Sequence, residues 1–294
     1  MTEATKAGMV AIAGKPNVGK STLLNRLIGQ KLAIVSPKPQ STRNRVIGLR
    51  SSDRAQMVFV DTPGLLDPRY ALQRAMRNES LAAINDADVI LYVVDATELP
   101  IESLEVAAAL PKPTRGRQLL VANKADLLKP SDKSALRALH PDALVVSARS
   151  GEGMSGLLTR VEEQLPPGPF LYPAEDVSSQ SVRFFVVELL RETAFELLED
   201  ELPYSVAAII EEFRESTDPQ YIRATLYVER DSQQRILIGA GGRTIKALGT
   251  RSRKKIEALV GAKVFLDLHV KVLANWRRNA SALIRLGFQQ EKKT

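Results

Sequence analysis

The 294-residue sequence contains no cysteine and only two histidines, His140 and His269. The lack of cysteine excludes disulfide scaffolds, thiolate metal sites and cysteine nucleophiles, and two histidines are too few for a histidine-rich metal site. The longest strongly apolar run without a charge, Val89 to Val94, has six residues, whereas a membrane-spanning helix needs about 20. The first six residues include Glu3, so we expect no secretory leader. These absences predict a cytoplasmic protein without covalent cross-links.

Aromatic residues make up only 5% of the chain, but hydrophobic residues make up 44% and charged residues 26%. This composition is ordinary for a globular protein and excludes disorder as the dominant state. At about 150 residues per domain, the length predicts two domains. Residues 171–218 contain 3 basic and 12 acidic side chains, whereas residues 235–294 contain 14 basic and 3 acidic ones. The basic segment is suited to a polyanion, although a charge run alone is also typical of a solvated helix face.

The first half alternates short apolar runs with longer amphipathic stretches. Several runs are apolar on consecutive residues, as expected for strands buried on both faces. This alternation predicts parallel crossovers and an α/β fold with a mostly parallel sheet covered on both sides. The predicted strands are Met9–Ala13, Val46–Leu49, Met57–Val60, Val89–Val94, Leu119–Ala122 and Leu144–Val146, and the predicted helices are Lys20–Gly29, Leu72–Asn85, Glu102–Leu110, Ser131–Ala138 and Met154–Gln164.

A proline-rich stretch that begins at Pro166 ends this pattern, because prolines lack a backbone donor and disfavour helix just before them. We therefore predict a first domain over residues 1–168, a linker over 169–180 and a smaller α+β domain over 181–294. The order expected in the second domain is helix, strand, strand, helix, strand, helix. These elements are Phe184–Leu198, Ser205–Phe213, Tyr221–Glu229, Ile245–Val260, Lys263–Val272 and Trp276–Leu286.

Residues 14–21 match the pattern G-x-x-x-x-G-K-[ST], with the sequence Gly14-Lys15-Pro16-Asn17-Val18-Gly19-Lys20-Ser21. The motif lies between a predicted strand and a predicted helix, which is the order of a phosphate-binding loop. Its glycines let backbone N–H groups reach phosphate oxygens, and the helix N-terminus and Lys20 bring positive charge to the β and γ phosphates. Ser21 offers a hydroxyl to Mg²⁺, which prefers oxygen ligands. This loop alone leaves kinases, ATPases, transporters and GTPases open.

A base-reading motif narrows the choice, and its residues are Asn123-Lys124-Ala125-Asp126. It follows a predicted buried strand, at the end of the strand where open α/β sheets bind ligands. The Asp126 carboxylate can accept hydrogen bonds from the ring N–H and the exocyclic amine of guanine, whereas adenine presents neither donor there. Asn123 is expected to contact the purine edge or to tie this loop to the phosphate loop, and the stem of Lys124 to cover the ring.

A weaker motif, Ser147-Ala148-Arg149, follows the next predicted strand. In that position we expect the Ala148 N–H near the guanine carbonyl and Ser147 beside it. Alone, the tripeptide is weak evidence.

A γ-phosphate sensor is predicted at the end of the strand Met57–Val60, with the sequence Asp61-Thr62-Pro63-Gly64-Leu65. Asp61 suits a water-mediated Mg²⁺ contact, and the Gly64 N–H can meet the γ-phosphate. In the polar loop over residues 36–45 we expect Thr42 to give Mg²⁺ a second hydroxyl, with Ser41 as the alternative. Leu65 cannot orient the attacking water as a glutamine does in Ras-like proteins, so we expect slow intrinsic hydrolysis. The catalytic set is thus predicted to be Lys20, Thr42, Asp61 and Gly64, and the metal set Ser21, Thr42 and Asp61.

The basic segment contains a G-x-x-G turn between an apolar stretch and a predicted basic helix. Such a turn brings backbone N–H groups close to a nucleic-acid backbone, and a KH module clamps about four nucleotides in this way. Its position in the basic segment favours single-stranded RNA binding over a solvated surface. We expect Trp276 to be a packing residue. The residues predicted to bind RNA are Ile238, Gly239, Ala240, Gly241, Gly242, Arg243, Ile245, Lys246 and Arg253.

The sequence resembles the Era family of ribosome-assembly GTPases along essentially its whole length. The resemblance is carried by the phosphate loop and by the strings Pro39-Gln40-Ser41-Thr42-Arg43 and Asp61-Thr62-Pro63-Gly64. The resemblance implies hydrolysis of GTP to GDP and phosphate with Mg²⁺, and a role for Asn17 in holding a monovalent cation such as K⁺. It also implies binding to 16S ribosomal RNA near its 3′ end and a role in assembly of the small (30S) subunit. Peripheral association with the inner face of the cell membrane is a further implication. We expect a monomer that binds no DNA.

Three hypotheses of different class stay open at this point. The first is a GTP-driven switch that gates RNA binding, and the second is an RNA-binding module with a largely structural nucleotide. The third is a metabolic phosphoryl-transfer enzyme, for which the sequence shows no acceptor-binding constellation. A related GTPase acting in RNA modification is a further alternative, although no catalytic group for that chemistry is visible in the second half.

Overall fold

The computed structural model describes residues 5–110 and 112–288, which form two units. The first unit contains the residues up to Pro68 together with Met76–Ser179, and the second contains Arg69–Ala75 together with the residues from Gln180 onward. Of the residues used above, Met1, Glu3, Glu291, Lys292 and Lys293 lie outside the described part of the chain.

The first unit is built on a six-stranded sheet of order β2-β3-β1-β4-β5-β6. Only the pair β2–β3 is antiparallel, and all other neighbours are parallel, so the predicted mostly parallel sheet is confirmed. All seven residues of β3 are buried, which explains the continuous apolar run from Met57 to Val60. The helices and strands of this part of the chain are β1 (Lys6–Ala13), α1 (Lys20–Ile28), β2 (Val46–Ser51), β3 (Ala55–Asp61), α2 (Ala71–Asp86), β4 (Val89–Asp95), α3 (Leu104–Ala108), β5 (Arg117–Asn123), α4 (Pro130–Leu139), β6 (Leu144–Val145) and α5 (Met154–Gln164). The residues of α2 up to Ala75 are assigned to the second unit.

The parallel strands place the predicted motifs at one edge of this sheet. The phosphate loop follows β1, the sensor string begins at the last residue of β3, and the base-reading motif begins at the last residue of β5. In the register of β1 and β3, Ile12 is the partner of Asp61. The carboxyl edge of a parallel sheet is where this class of fold binds ligands, so the fold itself brings the three motifs together.

Part of the predicted linker is fixed to the first unit by hydrogen bonds. Gln56 on β3 is fully buried, and its side chain accepts from the N–H groups of Leu171 and Tyr172 and donates to the Tyr172 carbonyl. On the edge strand β2, the Leu49 N–H donates to the carbonyl of Val177 at 2.9 Å. This stretch therefore covers a strand edge that would otherwise present unpaired backbone groups.

The second unit packs helices on one face of a three-stranded sheet of order β7-β8-β9. The pair β7–β8 is antiparallel and the pair β8–β9 is parallel. Ile222, Ala224, Leu226 and Val228, which alternate along β8, are all fully buried, as their period of two predicts. The elements are α6 (Val182–Leu197), α7 (Leu202–Ser205), β7 (Ala207–Arg214), β8 (Gln220–Val228), α8 (Asp231–Ile238), α9 (Arg243–Val260), β9 (Val264–Val272) and α10 (Ala280–Arg285).

The order predicted for the second half was wrong in two places, because it omitted the short helices α7 and α8. Only Leu237 of α8 is fully buried, so its apolar pattern is too sparse to identify a helix from sequence. The last predicted helix also begins later than expected. Trp276 lies in a single 3₁₀ turn, and α10 starts at Ala280 after an Asn279 cap.

Trp276 is a packing residue, as predicted. Its side chain is fully buried and its indole N–H donates to the Ser205 carbonyl at 2.9 Å. Among the helices of the described residues, none is long and apolar enough to span a membrane.

Candidate nucleotide site and nucleic-acid interface

The phosphate loop closes around the side chain of Lys20. The loop ends at Gly19, which has φ 96° and immediately precedes α1. A Cβ on Gly19 would lie 2.3 Å from Asn123 Nδ2, so only glycine allows the base-reading motif to approach this closely. Lys20 is buried, and its ammonium donates to the Lys15 carbonyl at 2.9 Å. A cation at the start of a helix creates the positive environment that phosphate groups require.

The three predicted metal ligands meet at one point. Ser21 Oγ donates to Asp61 Oδ2 at 2.7 Å and lies 2.9 Å from Thr42 Oγ1, and Thr42 Oγ1 is 3.3 Å from the same carboxylate oxygen. The other carboxylate oxygen, Asp61 Oδ1, is buried and has no hydrogen-bond partner among the described residues. Two hydroxyls, a carboxylate and an unsatisfied oxygen fit a hard divalent cation such as Mg²⁺. Thr42, the residue predicted from the polar loop, makes these contacts to Ser21 and Asp61.

Burial perturbs both charged groups of this cluster. Burial raises the pKa of Asp61 to about 6, although Lys20 and the hydroxyls of Ser21 and Thr42 favour its charged form. Burial likewise lowers the pKa of Lys20 to about 8, and the nearby Asp61 opposes that shift. Two buried charges held at a cost are typical of a site that a charged ligand completes.

The base-reading motif is held in place by both neighbouring loops. Asn123 is buried, its Nδ2 donates to the Val18 carbonyl at 2.8 Å, and its Oδ1 accepts from the Ala148 N–H at 2.9 Å. Asn123 thus ties the motif to the phosphate loop, which is one of the two roles expected for it. Ser147 Oγ donates to Asp126 Oδ1 at 2.6 Å. The structure therefore brings together the side chains of Asn123, Asp126 and Ser147 with the backbone of Ala148, whose N–H donates to Asn123.

The position of Lys124 depends on a residue that the sequence did not single out. Lys124 Nζ pairs with Asp95 Oδ2 at 2.6 Å, and Asp95 is the last residue of β4. Although burial opposes it, hydrogen bonds from Lys124 and Thr97 hold the pKa of Asp95 below its ordinary value. The available signal was an acidic residue at the end of an apolar strand, next to the strand that carries the base-reading motif.

The sensor string packs directly on the phosphate loop. A Cβ on Gly64 would lie 2.8 Å from the backbone nitrogen of Pro16, and the Leu65 N–H donates to the Gly14 carbonyl at 3.0 Å. The Leu65 side chain is buried in the apolar core, so it does not orient water. Asn17, with φ 65°, connects the phosphate loop to the polar loop through a 3.3 Å hydrogen bond from its Nδ2 to the Pro37 carbonyl.

In the second unit the predicted G-x-x-G turn joins α8 to α9. Gly239, Gly241 and Gly242 have φ of 75°, 59° and 77°, and a Cβ on Gly239 would lie 2.3 Å from Thr244 Oγ1. The tight turn thus requires glycine at Gly239. Ala240 is exposed, so the turn presents its backbone to a ligand.

The predicted RNA-binding side chains lie along α9 and the end of α8. Arg243, Lys246 and Arg253 are exposed, and their spacing of three and seven residues places them on one face of α9. Ile238 is 37% exposed at the end of α8, and Ile245 is partly buried against the core. Together they form a basic face beside an apolar strip, which suits a phosphate backbone with unstacked bases.

Comparisons with known proteins identify the two types of domain. A family model described as 50S ribosome-binding GTPase matches residues 9–124, and a KH domain model matches residues 201–277. GTPase Era of Lactobacillus helveticus is 40% identical over 294 residues, which cover 98% of this chain and 97% of that protein. The chain belongs to the Era family of GTPases. GTPase Era of Thermotoga petrophila is 39% identical over 297 residues and covers 98% of this chain and 99% of its own.

Two solved Era structures share the fold along nearly the whole chain. One is Era in complex with MgGDPNP and nucleotides 1506–1542 of 16S ribosomal RNA, which is 34% identical, has a TM-score of 0.89 and covers 97% of this chain and 100% of its own. The other, a variant of Aquifex aeolicus Era bound to GDP·AlF4⁻, has the same identity, TM-score and coverage. The predicted fold class, an α/β P-loop GTPase domain followed by a KH domain, is therefore confirmed, and so is the GTPase activity that defines the Era family.

Thr42 rather than Ser41 is expected to set the magnesium requirement of this Era-family GTPase. A Thr42→Ala variant should need about tenfold more Mg²⁺ for half-maximal single-turnover GTP hydrolysis, because it loses one of the clustered oxygens. A Ser41→Ala variant is the matched control and should stay within about twofold of the parent chain. Equal shifts in the two variants, or a larger one in Ser41→Ala, would contradict this assignment.

Proposed function

We propose that this Era-family GTPase is a GTP-dependent switch that binds 16S ribosomal RNA near its 3′ end and assists assembly of the small (30S) ribosomal subunit. The observation that carries the proposal is the cluster of Ser21, Thr42 and Asp61. It joins the phosphate loop, the polar loop and the sensor string within 3.3 Å. Because these segments meet at one point, a change at the γ-phosphate would affect the polar loop and the sensor string together.

The chemistry follows from the positions of the side chains. Lys20 and the first turn of α1 would neutralise the β and γ phosphates, and the Gly64 N–H would meet the γ-phosphate. Mg²⁺, held by Ser21, Thr42 and Asp61, supplies positive charge when bound. Because Leu65 is buried, the attacking water must be oriented by backbone groups, a cation or a partner. Asn17 uses its Nδ2 for the Pro37 carbonyl, and the oxygen of the same amide would serve K⁺.

The RNA partner is proposed from the second unit and from the relatives. The exposed basic face of α9 and the glycine turn before it fit a single-stranded polyanion. A solved Era structure, alike along nearly the whole chain, holds nucleotides 1506–1542 of 16S ribosomal RNA together with MgGDPNP. RNA, rather than DNA, is accordingly the proposed ligand.

The remaining assignments are proposed on narrower support. We assign residues 1–168 to the GTPase domain, 169–180 to a linker and 181–294 to the KH-type domain, because the chain changes unit between Ser179 and Gln180. A cytoplasmic monomer suits a chain whose two domains bind nucleotide and RNA. Peripheral association with the inner face of the cell membrane is supported only by the basic segment 235–294 and the family resemblance.

The switch is tested by measuring RNA affinity as a function of bound nucleotide. The full-length chain should bind a labelled RNA with the sequence of the 16S 3′ end at least about fivefold more tightly with GDPNP than with GDP at fixed salt. By reciprocity the same RNA should raise the preference for GDPNP over GDP by the same factor. Equal RNA affinities in the two states would instead support a module with a structural nucleotide. Phosphate transfer to a small-molecule acceptor in place of water would support the metabolic enzyme.

A further inference from the structure

The loop that completes the guanine site follows the shortest strand of the sheet. β6 pairs with β5 through only two residue pairs, Val121 with Leu144 and Ala122 with Val145. Val146 continues the pairing through hydrogen bonds with Ala122 at 2.9 Å and Ala125 at 3.0 Å, and the loop then closes on itself, since the Gly151 N–H donates to the Ser147 carbonyl at 2.8 Å. Two ladder pairs at a sheet edge restrain a loop weakly. These backbone contacts connect the loop to β5 and the base-reading motif, whereas its connection to α1 depends on other groups.

Arg26 supplies an anchor from the helix that begins at the phosphate loop. It lies in the last turn of α1, six residues after Lys20. Its Nε donates to the Ala148 carbonyl at 3.0 Å, and its Nη2 donates to the neighbouring Arg149 carbonyl. The rigid fork of a guanidinium suits two successive carbonyls, and bonds from a charged donor are stronger than neutral ones. Nothing in the local sequence pairs Arg26 with this loop, since 122 residues separate it from Ala148.

We propose that Arg26 is a positioning residue for guanine recognition. It holds the backbone at Ala148 so that the N–H of the same residue meets Asn123, whose amide continues to Val18 in the phosphate loop. These hydrogen bonds form a closed network that connects α1 to the Ala148 backbone, then to Asn123, and finally to the phosphate loop that precedes α1. Ser147, which orients the Asp126 carboxylate, is the preceding residue of the same loop. The proposal rests on the guanine-reading role given above to Asn123 and Asp126.

If Arg26 acts in this way, its removal should lower nucleotide affinity without lowering the rate of GTP hydrolysis at saturation. An Arg26→Ala variant should release fluorescently labelled GDP and GDPNP about tenfold faster, by the same factor for both, because the anchor acts on the base and not on the γ-phosphate. At saturating GTP its kcat should stay within about twofold of the parent value, so that the defect lies in KM. Arg26→Lys, which keeps the charge but only one donor position, should give an intermediate release rate.

Arg50→Ala provides the matched control. Arg50 reaches the same end of α1 from β2, where its Nη1 donates to the Leu27 carbonyl at 2.7 Å, and this hydrogen bond, unlike those of Arg26, does not involve the base-reading loop. Both alanine variants remove an arginine-to-carbonyl bond, so thermal melting should report any shared effect on folding. The proposal is overturned if Arg26→Ala leaves nucleotide release unchanged, if Arg50→Ala accelerates it equally, or if kcat falls in step with affinity. A failure of the guanine assignment itself would show separately, as an Asp126→Asn variant that keeps its preference for GTP.

Discussion

An Asp126→Asn variant is expected to bind GTP at least about a hundredfold more weakly than the parent chain and to bind xanthosine triphosphate in its place. We expect the carboxylate to accept from two donors of guanine. An asparagine amide presents a donor to the exocyclic amine, and two facing donors in a closed site remain unpaired. Xanthine carries an oxygen at that position, which accepts from the new amide. The hundredfold loss corresponds to about 2.8 kcal/mol.

The local contacts favour a clean exchange of specificity. Ser147 Oγ donates to Asp126 Oδ1 at 2.6 Å, and it can donate equally to the amide oxygen of asparagine. That bond directs the new NH₂ group toward the base instead of leaving its orientation open. Asn123 and Lys124 keep their own partners, Val18 and Asp95. The substitution therefore changes the pattern of donors and leaves the frame of the site intact.

Competition between the two nucleotides measures this exchange. Release of labelled GDP, displaced by GTP or by xanthosine triphosphate, gives the ratio of affinities in one experiment. Asp132→Asn is the matched control, because Asp132 is an exposed acid in the first turn of the neighbouring α4. Its nucleotide preference should be unchanged. Persistence of the GTP preference in Asp126→Asn would remove the basis for assigning guanine to this site.

The sequence was most informative where a few adjacent residues carry the chemistry. The phosphate loop, the base-reading motif and the glycine turn each consist of neighbours in the chain, and each has backbone requirements that only certain residues meet, such as φ 96° at Gly19. Their assembly could also be predicted, because parallel strands place their carboxyl ends at one edge. The same reasoning gave the buried face of β8 from its alternation.

The sequence was less informative where a role depends on distant contacts. Asp95 fixes Lys124 across 29 residues and Arg26 reaches Ala148 across 122, and no local pattern marks either pair. Thr42 was predicted from its loop with Ser41 as the alternative, and it is the fold that places Thr42 beside Ser21 and Asp61. The helix α8 was missed because it buries a single residue fully. The proline-rich sequence predicted a linker, but it gave no sign that Gln56 would form hydrogen bonds with part of that linker.

Reversing the charge of Arg243 and Lys246 together is expected to weaken RNA binding about a hundredfold at about 0.1 M salt. Both side chains are exposed on the first turns of α9, directly after the glycine turn. The turn contributes backbone N–H groups but no cationic side chain, since its two inner residues are Ala240 and Gly241. Arg243 contacts the turn directly, since its Nε donates to the Ala240 carbonyl at 3.3 Å, and Lys246 lies on the same face three residues later. Glutamate at both positions replaces attraction by repulsion.

A double variant with the same change in net charge distinguishes direct contacts with RNA from the general electrostatic attraction of the second unit. Lys263→Glu with Arg278→Glu alters two exposed cations of the second unit that lie outside the turn and α9. It should weaken RNA binding far less, because screening limits the influence of charges beyond about 10 Å at 0.1 M salt. The dependence of log affinity on log salt should flatten by about 1.4 in the Arg243→Glu, Lys246→Glu protein, the amount expected for two lost contacts to a single strand.

Equal losses in the two double variants would assign RNA binding to diffuse charge and not to the glycine turn. Unchanged GTP hydrolysis in the absence of RNA would show that the effect belongs to the second unit, and a retained affinity with a retained slope would place the RNA on another surface of the chain.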